Sequence, residues 1–477
     1  MQLILQLQSI AVWAVIDFCV SLLAAAHVVL HKRNVRAAVG WVGVIWLAPF
    51  LGTTLYLLLG INRIERKAKS KRPPSLVGIE PCIVPLAGEG GLANSRLADL
   101  MKLAGKITGL PLTAGNSVKM LVNGDEAYPA MIDAIDRAQG TITMATYIFD
   151  RDRAGLRFVE ALGRAVERGV QVRVLIDNVG ASYRFPTVAG PLRRARVPVA
   201  YFLPTLLPWR LQYSNLRNHR KTLIIDGVTA FTGGMNIRQG HELKVPSSAP
   251  VRDLHFEIVG PVVSQLQEIF AIDWRFTTDE LISGPAWFPC ADEVGSVAAR
   301  CIADGPDEDL DRTRKLLHGA ITVARSSIAI VTPYFLPDDT LIAALNVAAM
   351  RGVTVDIFVP QRGNLRFVEW AATSQYWQVL EHGCHVWLTP PPFDHTKLTL
   401  IDSEWALIGS TNWDSRSLRL NFELNVELYS GEVGAPLAKL IEERRCNGRR
   451  LTLAEVNSRP LWKRLRNGVA RLLSPYL

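Results

Sequence analysis

No two of the six cysteines, at 19, 82, 290, 301, 384 and 446, stand close enough to form a Cys-x-x-Cys pair. The spacing excludes a zinc ribbon and indicates no disulfide framework, so unpaired thiols in a reducing compartment are the expectation. The chain has no cluster of carboxylates that could cage a divalent cation, and neither a metal nor another cofactor is expected. Charge is sparse where the chain begins: residues 1–30 contain Asp17 but no lysine or arginine. A cleaved secretion signal opens on a basic stretch, and Met1-Gln-Leu-Ile does not, although Ala24-Ala25-Ala26 has the composition of a cleavage site.

In place of charge the first 60 residues have apolar length, at about 3–30 and 37–60. Each run exceeds the roughly 20 residues that carry a helix across a bilayer. The link between them is too short to do anything but turn, so a two-helix transmembrane hairpin is predicted. That link carries Lys32, Arg33 and Arg36, whereas Arg63, Arg66, Lys67, Lys69, Lys71 and Arg72 follow the second run. The richer cluster places the chain beyond it in the cytoplasm.

Past the proline pair Pro73-Pro74, strand and helix patterns alternate, as in Thr141–Phe149, Leu156–Arg168 and Gly169–Asp177. They recur as Ser327–Tyr334, Leu341–Met350 and Gly352–Val359, with Tyr147 and Tyr334 as matching landmarks. The fold class is therefore α/β: two similar αβ units, mixed sheets flanked by helices, packed as a pseudo-dimer behind the hairpin. The divisions are 1–72 (hairpin and basic flank), 73–115 (linker and helix), 116–285 and 298–435 (the two units) and 436–477 (a helical end). The insert 181–217, rich in aromatics, proline and arginine, and the basic, apolar helix near Trp462 are each either packed on the body or set against lipid.

One pattern is repeated with fixed spacing. His219, Lys221, Asp226 and Asn236 recur as His395, Lys397, Asp402 and Asn412, with seven residues from His to Asp and 17 from His to Asn in both copies. Neither copy is a complete site, and strand alternation puts each His and Lys on one face. The inference is one site between the units, built from one His and one Lys of each. Two lysines can neutralise the non-bridging oxygens of a phosphodiester as charge grows on them, with Asn236, Ser410 and Asn412 adding hydrogen bonds. One neutral imidazole can attack phosphorus, and the other can protonate the departing alkoxide. Each histidine needs a carboxylate to fix its tautomer. Glu423 is the candidate following His395, and Asp253 the candidate following His219. Asp226 and Asp402 join the motif residues as candidates, though they fall at strand ends. The net charge of +9 favours anionic partners.

The paired motif resembles that of the phospholipase D superfamily, and the wider pattern is similar to bacterial cardiolipin synthases. The similarity is carried by Trp46-Leu-Ala-Pro-Phe-Leu-Gly, Asn215-Leu-Arg-Asn-His-Arg-Lys221, Ala230-Phe-Thr-Gly-Gly-Met-Asn-Ile237, His395-Thr-Lys397 and Asp414-Ser-Arg-Ser-Leu-Arg-Leu-Asn-Phe-Glu423. It implies transfer of a phosphatidyl group between two phosphatidylglycerol molecules at the inner membrane, with His219 as nucleophile and His395 as general acid and base. Phosphatidylglycerol and anionic membrane lipid are the implied partners, and no nucleic acid is expected. The same residues would serve a hydrolytic phospholipase D or a transferase with another acceptor lipid, and less readily a tethered nuclease.

Overall fold

The computed structural model describes residues 2–32, 35–60, 97–204, 216–306 and 309–472. The basic flank at 61–72, most of the 73–115 linker and the 205–215 part of the aromatic insert lie outside them. The chain divides into an N-terminal unit and a body, each taken by itself.

The first apolar run forms the helix Gln2–His31, and its Ala11–His31 stretch, with mean hydropathy 2.1, has the length and composition to cross a membrane. The second run departs from the prediction of one helix over 37–60. It breaks into Val35–Leu47, Pro49–Leu55 and a π-turn at Tyr56–Gly60. Pro49 brings no N–H and bars helical geometry from the residue before it; Ala48 accordingly sits at φ −142°, ψ 73°. The chain then folds back, so that the rings of Trp41 and Tyr56 lie 5.4 Å apart, where a straight helix would part them by about 22 Å. Gly52 permits the bend, because a Cβ there would stand 2.3 Å from the Val44 carbonyl oxygen. The bent segment packs on the long helix through Val28, Ile45 and Tyr56, a Ser21–Thr53 hydroxyl pair at 3.2 Å and a His27–Tyr56 hydrogen bond of 2.7 Å.

The body is built on one continuous mixed sheet. Its strands of three or more residues are, in the first half, β1 (Thr113–Val122), β2 (Thr141–Thr146), β3 (Gln171–Asp177), β4 (Val199–Phe202), β5 (Thr222–Ile225), β6 (Thr229–Gly233) and β7 (Leu254–Val259). The second half contributes β8 (Val297–Asp304), β9 (Ser327–Val331), β10 (Thr354–Pro360), β11 (His385–Thr389), β12 (Leu398–Ile401), β13 (Trp405–Gly409), β14 (Asn421–Tyr429) and β15 (Arg449–Leu451). Outward from the middle, the first half runs β1-β7-β6-β5-β2-β3-β4 and the second β8-β14-β13-β12-β9-β10-β11. The two orders correspond strand for strand, and β1 meets β8 antiparallel at the seam. Local signals repeat too. Asp152 caps the helix Arg153–Glu167 through the Gly155 N–H at 3.0 Å, and Asp338 caps Asp339–Met350 through the Thr340 N–H at 2.9 Å. Each half has its own apolar core. The helix Ala98–Thr108 belongs to the second one, where Leu100 and Ala104 join Leu316, Leu317 and Ala320.

Beside the seam a buried ion pair joins facing residues of β8 and β14. Arg300 Nε donates to Glu427 Oε1 at 2.6 Å, and the side chains are 2% and 0% exposed. Arg300 also donates to the carbonyls of Met101 and Leu110, while Glu427 accepts from Trp405 and Tyr429. Removing one partner leaves a buried charge without its counterion, so Arg300→Ala should cost about 3–5 kcal/mol of stability, seen as a lowered unfolding temperature in detergent.

Cys19, Cys301, Cys384 and Cys446 are free. Cys290 is disulfide-bonded, which corrects the expectation that every thiol is unpaired.

Candidate active site

Each His-x-Lys motif occupies the approach to a hairpin strand, β5 in one half and β12 in the other, and each approach is tied to the opposite half. Arg217-Asn218 pair in parallel with Asn421-Phe422, and the His219 N–H donates to the Phe422 carbonyl at 2.9 Å. Phe393-Asp394 pair in parallel with Val251-Arg252, and the His395 N–H donates to the Arg252 carbonyl at 2.8 Å. Buried ion pairs brace both approaches: Arg220 to Asp273 at 2.6 Å, and Arg444 to Asp394 at 2.8 Å. In both motifs the lysine Nζ turns back onto the carbonyl of its own histidine, at 2.5 Å.

The orienting carboxylates reverse the pairing expected from chain order. His219 Nδ1 lies 3.0 Å from both oxygens of Glu423, and His395 Nδ1 lies 2.8 Å from Asp253 Oδ2. Each motif histidine is thus held by a carboxylate of the other half. Glu423 and Asp253 occupy equivalent places, each two residues before the partner of a hairpin glycine, Gly409 opposite Asn425 and Gly233 opposite His255. Both glycines have φ +150° and sit where a Cβ would strike the next strand, at 2.4 Å from the Leu424 oxygen and 2.7 Å from the Leu254 oxygen.

The following position breaks the symmetry. Ser410 gives Glu423 a hydroxyl hydrogen bond of 2.5 Å, and Asn421 Nδ2 adds another at 3.0 Å. Its counterpart is Gly234, where a Cβ would lie 2.3 Å from Asp253 Oδ1. The two carboxylates differ accordingly. Burial alone would raise Glu423, but His219, Lys221 and Ser410 outweigh it and hold its pKa below the usual value. Asp253 is pushed up to about 6 by burial, against the pull of Lys397 and His241.

The basic groups are held towards neutrality. Burial lowers His219 to about 4, with Glu423 opposing and Lys221 and Lys397 assisting. His395 is lowered by burial and by the charges of Lys397 and Lys221. Burial brings Lys397 down to about 8 and also lowers Lys221. A site with two histidines and two lysines, short of negative charge, is suited to an anion.

Asp226 and Asp402 stand elsewhere, at the far ends of β5 and β12. Asp226 accepts the N–H groups of Gln139, Gly140 and Thr141, and Asp402 those of Arg325, Ser326 and Ser327. Both sit at φ +52°. Through these contacts both fix turns, in keeping with their place at strand ends. Asn236 Oδ1 accepts the Ile148 N–H at 3.1 Å, and Asn412 Nδ2 donates to Ser417 at 3.2 Å while its Oδ1 is buried without a partner among the described residues. Among the described residues no three His, Cys, Asp or Glu side chains group so as to hold a metal ion.

Sequence reasoning left aside His241, whose ring is 6.3 Å from that of His395. It has no counterpart in the second half, and so no repeat to reveal it. Tyr147 was legible as a landmark only, yet its ring lies 5.2 Å from His219 and 5.5 Å from Lys221 Nζ.

A duplicated α/β unit, each half giving a His-x-Lys pair to a shared site, defines a phospholipase D-like protein. The family model described as cardiolipin synthase, PLD-like domain, matches residues 131–274 and 317–445, and one described as phospholipase D-nuclease N-terminal matches 19–60. The chain is 33% identical over 475 residues to the cardiolipin synthase of Geobacillus thermodenitrificans, covering 98% of this chain and 94% of that one. It is 32% identical over 467 residues to the major cardiolipin synthase ClsA of Bacillus subtilis, covering 96% and 97%. A solved structure of phosphatidylserine synthase from Haemophilus influenzae matches 80% of this chain and 100% of its own, with a TM-score of 0.62 and 15% identity, a likeness of fold. The chain belongs to the cardiolipin synthase family with PLD-like domains.

Proposed function

We propose that the chain is a membrane phosphatidyltransferase that condenses two phosphatidylglycerol molecules into cardiolipin and glycerol. The observation that carries this is the near full-length relationship to cardiolipin synthases, which takes in both motifs and the N-terminal segment. In the proposed cycle Nε2 of His219 attacks phosphorus, and the bond from phosphorus to the departing glycerol oxygen breaks. His395 gives that oxygen its proton. The hydroxyl of a second phosphatidylglycerol then returns a proton to His395 and attacks the phosphatidyl-histidine, and His219 leaves. Lys221 and Lys397 neutralise the non-bridging oxygens throughout.

Substrate charge has a further part in this reading. In the empty site burial and the two lysines keep His395 neutral; the phosphodiester anion opposes both, so a proton is taken up on binding. Affinity must then fall as pH rises, and fall further above about 8 as Lys397 loses its charge. At the acid end, protonation of His219 near pH 4 removes the nucleophilic lone pair. The expected outcome is a KM for phosphatidylglycerol that rises with pH, steepest beyond about 8; a flat KM from about pH 5 to 9 would count against it.

For orientation, the basic residues from Lys32 to Arg72 all follow the one helix of spanning length among the described residues, which favours a cytoplasmic body. The Cys290 disulfide is the opposing feature, since such bonds belong to oxidising compartments. Labelling the exposed Cys446 in intact cells with a membrane-impermeant thiol reagent decides between them. Product analysis decides the reaction: purified enzyme in phosphatidylglycerol vesicles should yield cardiolipin and glycerol in equal amounts. Phosphatidic acid without cardiolipin would make it a hydrolase.

A further inference from the structure

The helix Leu461–Leu472 packs on the second half by a narrow edge, burying Asn467 and Ala470 and setting the Arg466 guanidinium 4.3 Å over the Trp370 ring. The rest is open to solvent. Trp462, Leu465, Val469 and Leu472 are 58–78% exposed and lie within roughly 80° of one another around the helix axis. Lys463, Arg464 and Arg466 flank this stripe, and the helix contains no acidic residue. A soluble surface does not ordinarily carry such a stripe unpartnered.

Further exposed apolar side chains stand towards the site, on the loop 362–365 with the helix Arg366–Thr373 that follows it, and on the loop 183–185. Phe367, whose ring is 5.3 Å from Trp370, is exposed, as is Leu365 beside it. Next in that loop is Asn364, whose Oδ1 accepts from Tyr334 at 2.7 Å; the Tyr334 ring is 6.4 Å from Phe393, and Phe393 is 6.1 Å from His395. The first half repeats the arrangement. The Tyr183 hydroxyl lies 2.9 Å from that of Tyr147, the neighbour of His219, and Phe185, two residues on, is 91% exposed. Arg184, Arg362 and Arg366 stand among these apolar side chains.

We infer that this surface docks on an anionic phospholipid bilayer and brings the mouth of the site against it. Apolar side chains enter the interface between headgroups and acyl chains, and the arginines and lysines pair with lipid phosphates. The charge pattern selects lipid over a second copy of this basic chain, which would set like charges face to face. Docking here is separate from any membrane insertion of the N-terminal helix.

The test uses the full chain with the exposed Cys19 and Cys446 replaced by serine and an environment-sensitive fluorophore on Leu465→Cys. In equimolar phosphatidylglycerol and phosphatidylcholine vesicles the emission should shift to the blue and be quenched by lipid spin-labelled near its headgroup. Water-like emission there overturns the inference. So does a blue shift that the spin-labelled lipid fails to quench, which would put protein against this face. This probe needs no turnover, so its failure is distinct from failure of the assigned reaction. In parallel, Trp462→Glu with Leu465→Glu should slow turnover of phosphatidylglycerol in vesicles at least about tenfold, while turnover of monomeric short-chain phosphatidylglycerol stays within about twofold. Equal loss on both substrates would mark a structural role and overturn it.

Discussion

His219→Ala should abolish both the covalent intermediate and lipid transfer, a loss of about 10⁴-fold or more. His395→Ala should lose transfer by about 10²–10⁴-fold, yet still form phosphatidyl-histidine from a phosphodiester with a p-nitrophenolate leaving group, which departs without a proton. The asymmetry follows from the surroundings of the two rings. His219 has an ionised glutamate across both carboxylate oxygens at 3.0 Å, which keeps the proton on Nδ1 and the lone pair on Nε2. His395 faces Asp253, which burial pushes up to about 6, so below that pH the carboxyl is protonated and no longer accepts from Nδ1. Acid-quenched enzyme analysed by mass spectrometry checks this: intermediate that accumulates in His219→Ala and not in His395→Ala would exchange the two roles.

The second large effect lies 204 residues from the histidine it disables. Glu423→Gln changes little in volume but offers the His219 Nδ1 an amide N–H. The imidazole then turns to the tautomer with its proton on Nε2, and the nucleophilic lone pair is lost. Formation of the intermediate should fall about 10²–10⁴-fold with the fold retained. Asp253→Asn acts on the other step. His395 as the acid carries protons on both nitrogens, and an amide oxygen can still accept one, so departure of a poor leaving group should slow by a smaller factor. Single-turnover kinetics separate the two; equal slowing of intermediate formation in both variants would contradict the division of labour.

The repeat made most of the site legible. His219, Lys221, His395 and Lys397 share offsets that chance does not supply, and the duplicated α/β pattern around them predicted an interface between halves. The crossing of carboxylates was not legible, because it depends on how β1 and β8 meet at the seam, and chain order suggests the nearer histidine. Repetition marks turns as well as chemistry. Asp226 and Asp402 recur because both hairpin turns need a carboxylate at φ +52° to collect three N–H groups, which is a demand of folding and not of chemistry. In the N-terminal unit hydropathy alone suggested a second straight span, although Ala48-Pro49 and Gly52 carried the signal for a bend. Ser410 and Gly234 stood in the same repeat position, but what they do for Glu423 and Asp253 emerges only once those carboxylates are in place.

The crossed pairs bear on what this chain can be divided into. Either half cut free would keep a His-x-Lys motif whose imidazole has lost its tether, and a carboxylate with no imidazole to hold. Two identical halves joined about a twofold axis would restore both at once, so the geometry is that of a homodimer whose subunits have become one polypeptide. Fusion fixes the partner, and it frees the two copies to diverge. The serine at 410 and the glycine at 234 are where that freedom has been used to make one histidine unlike the other.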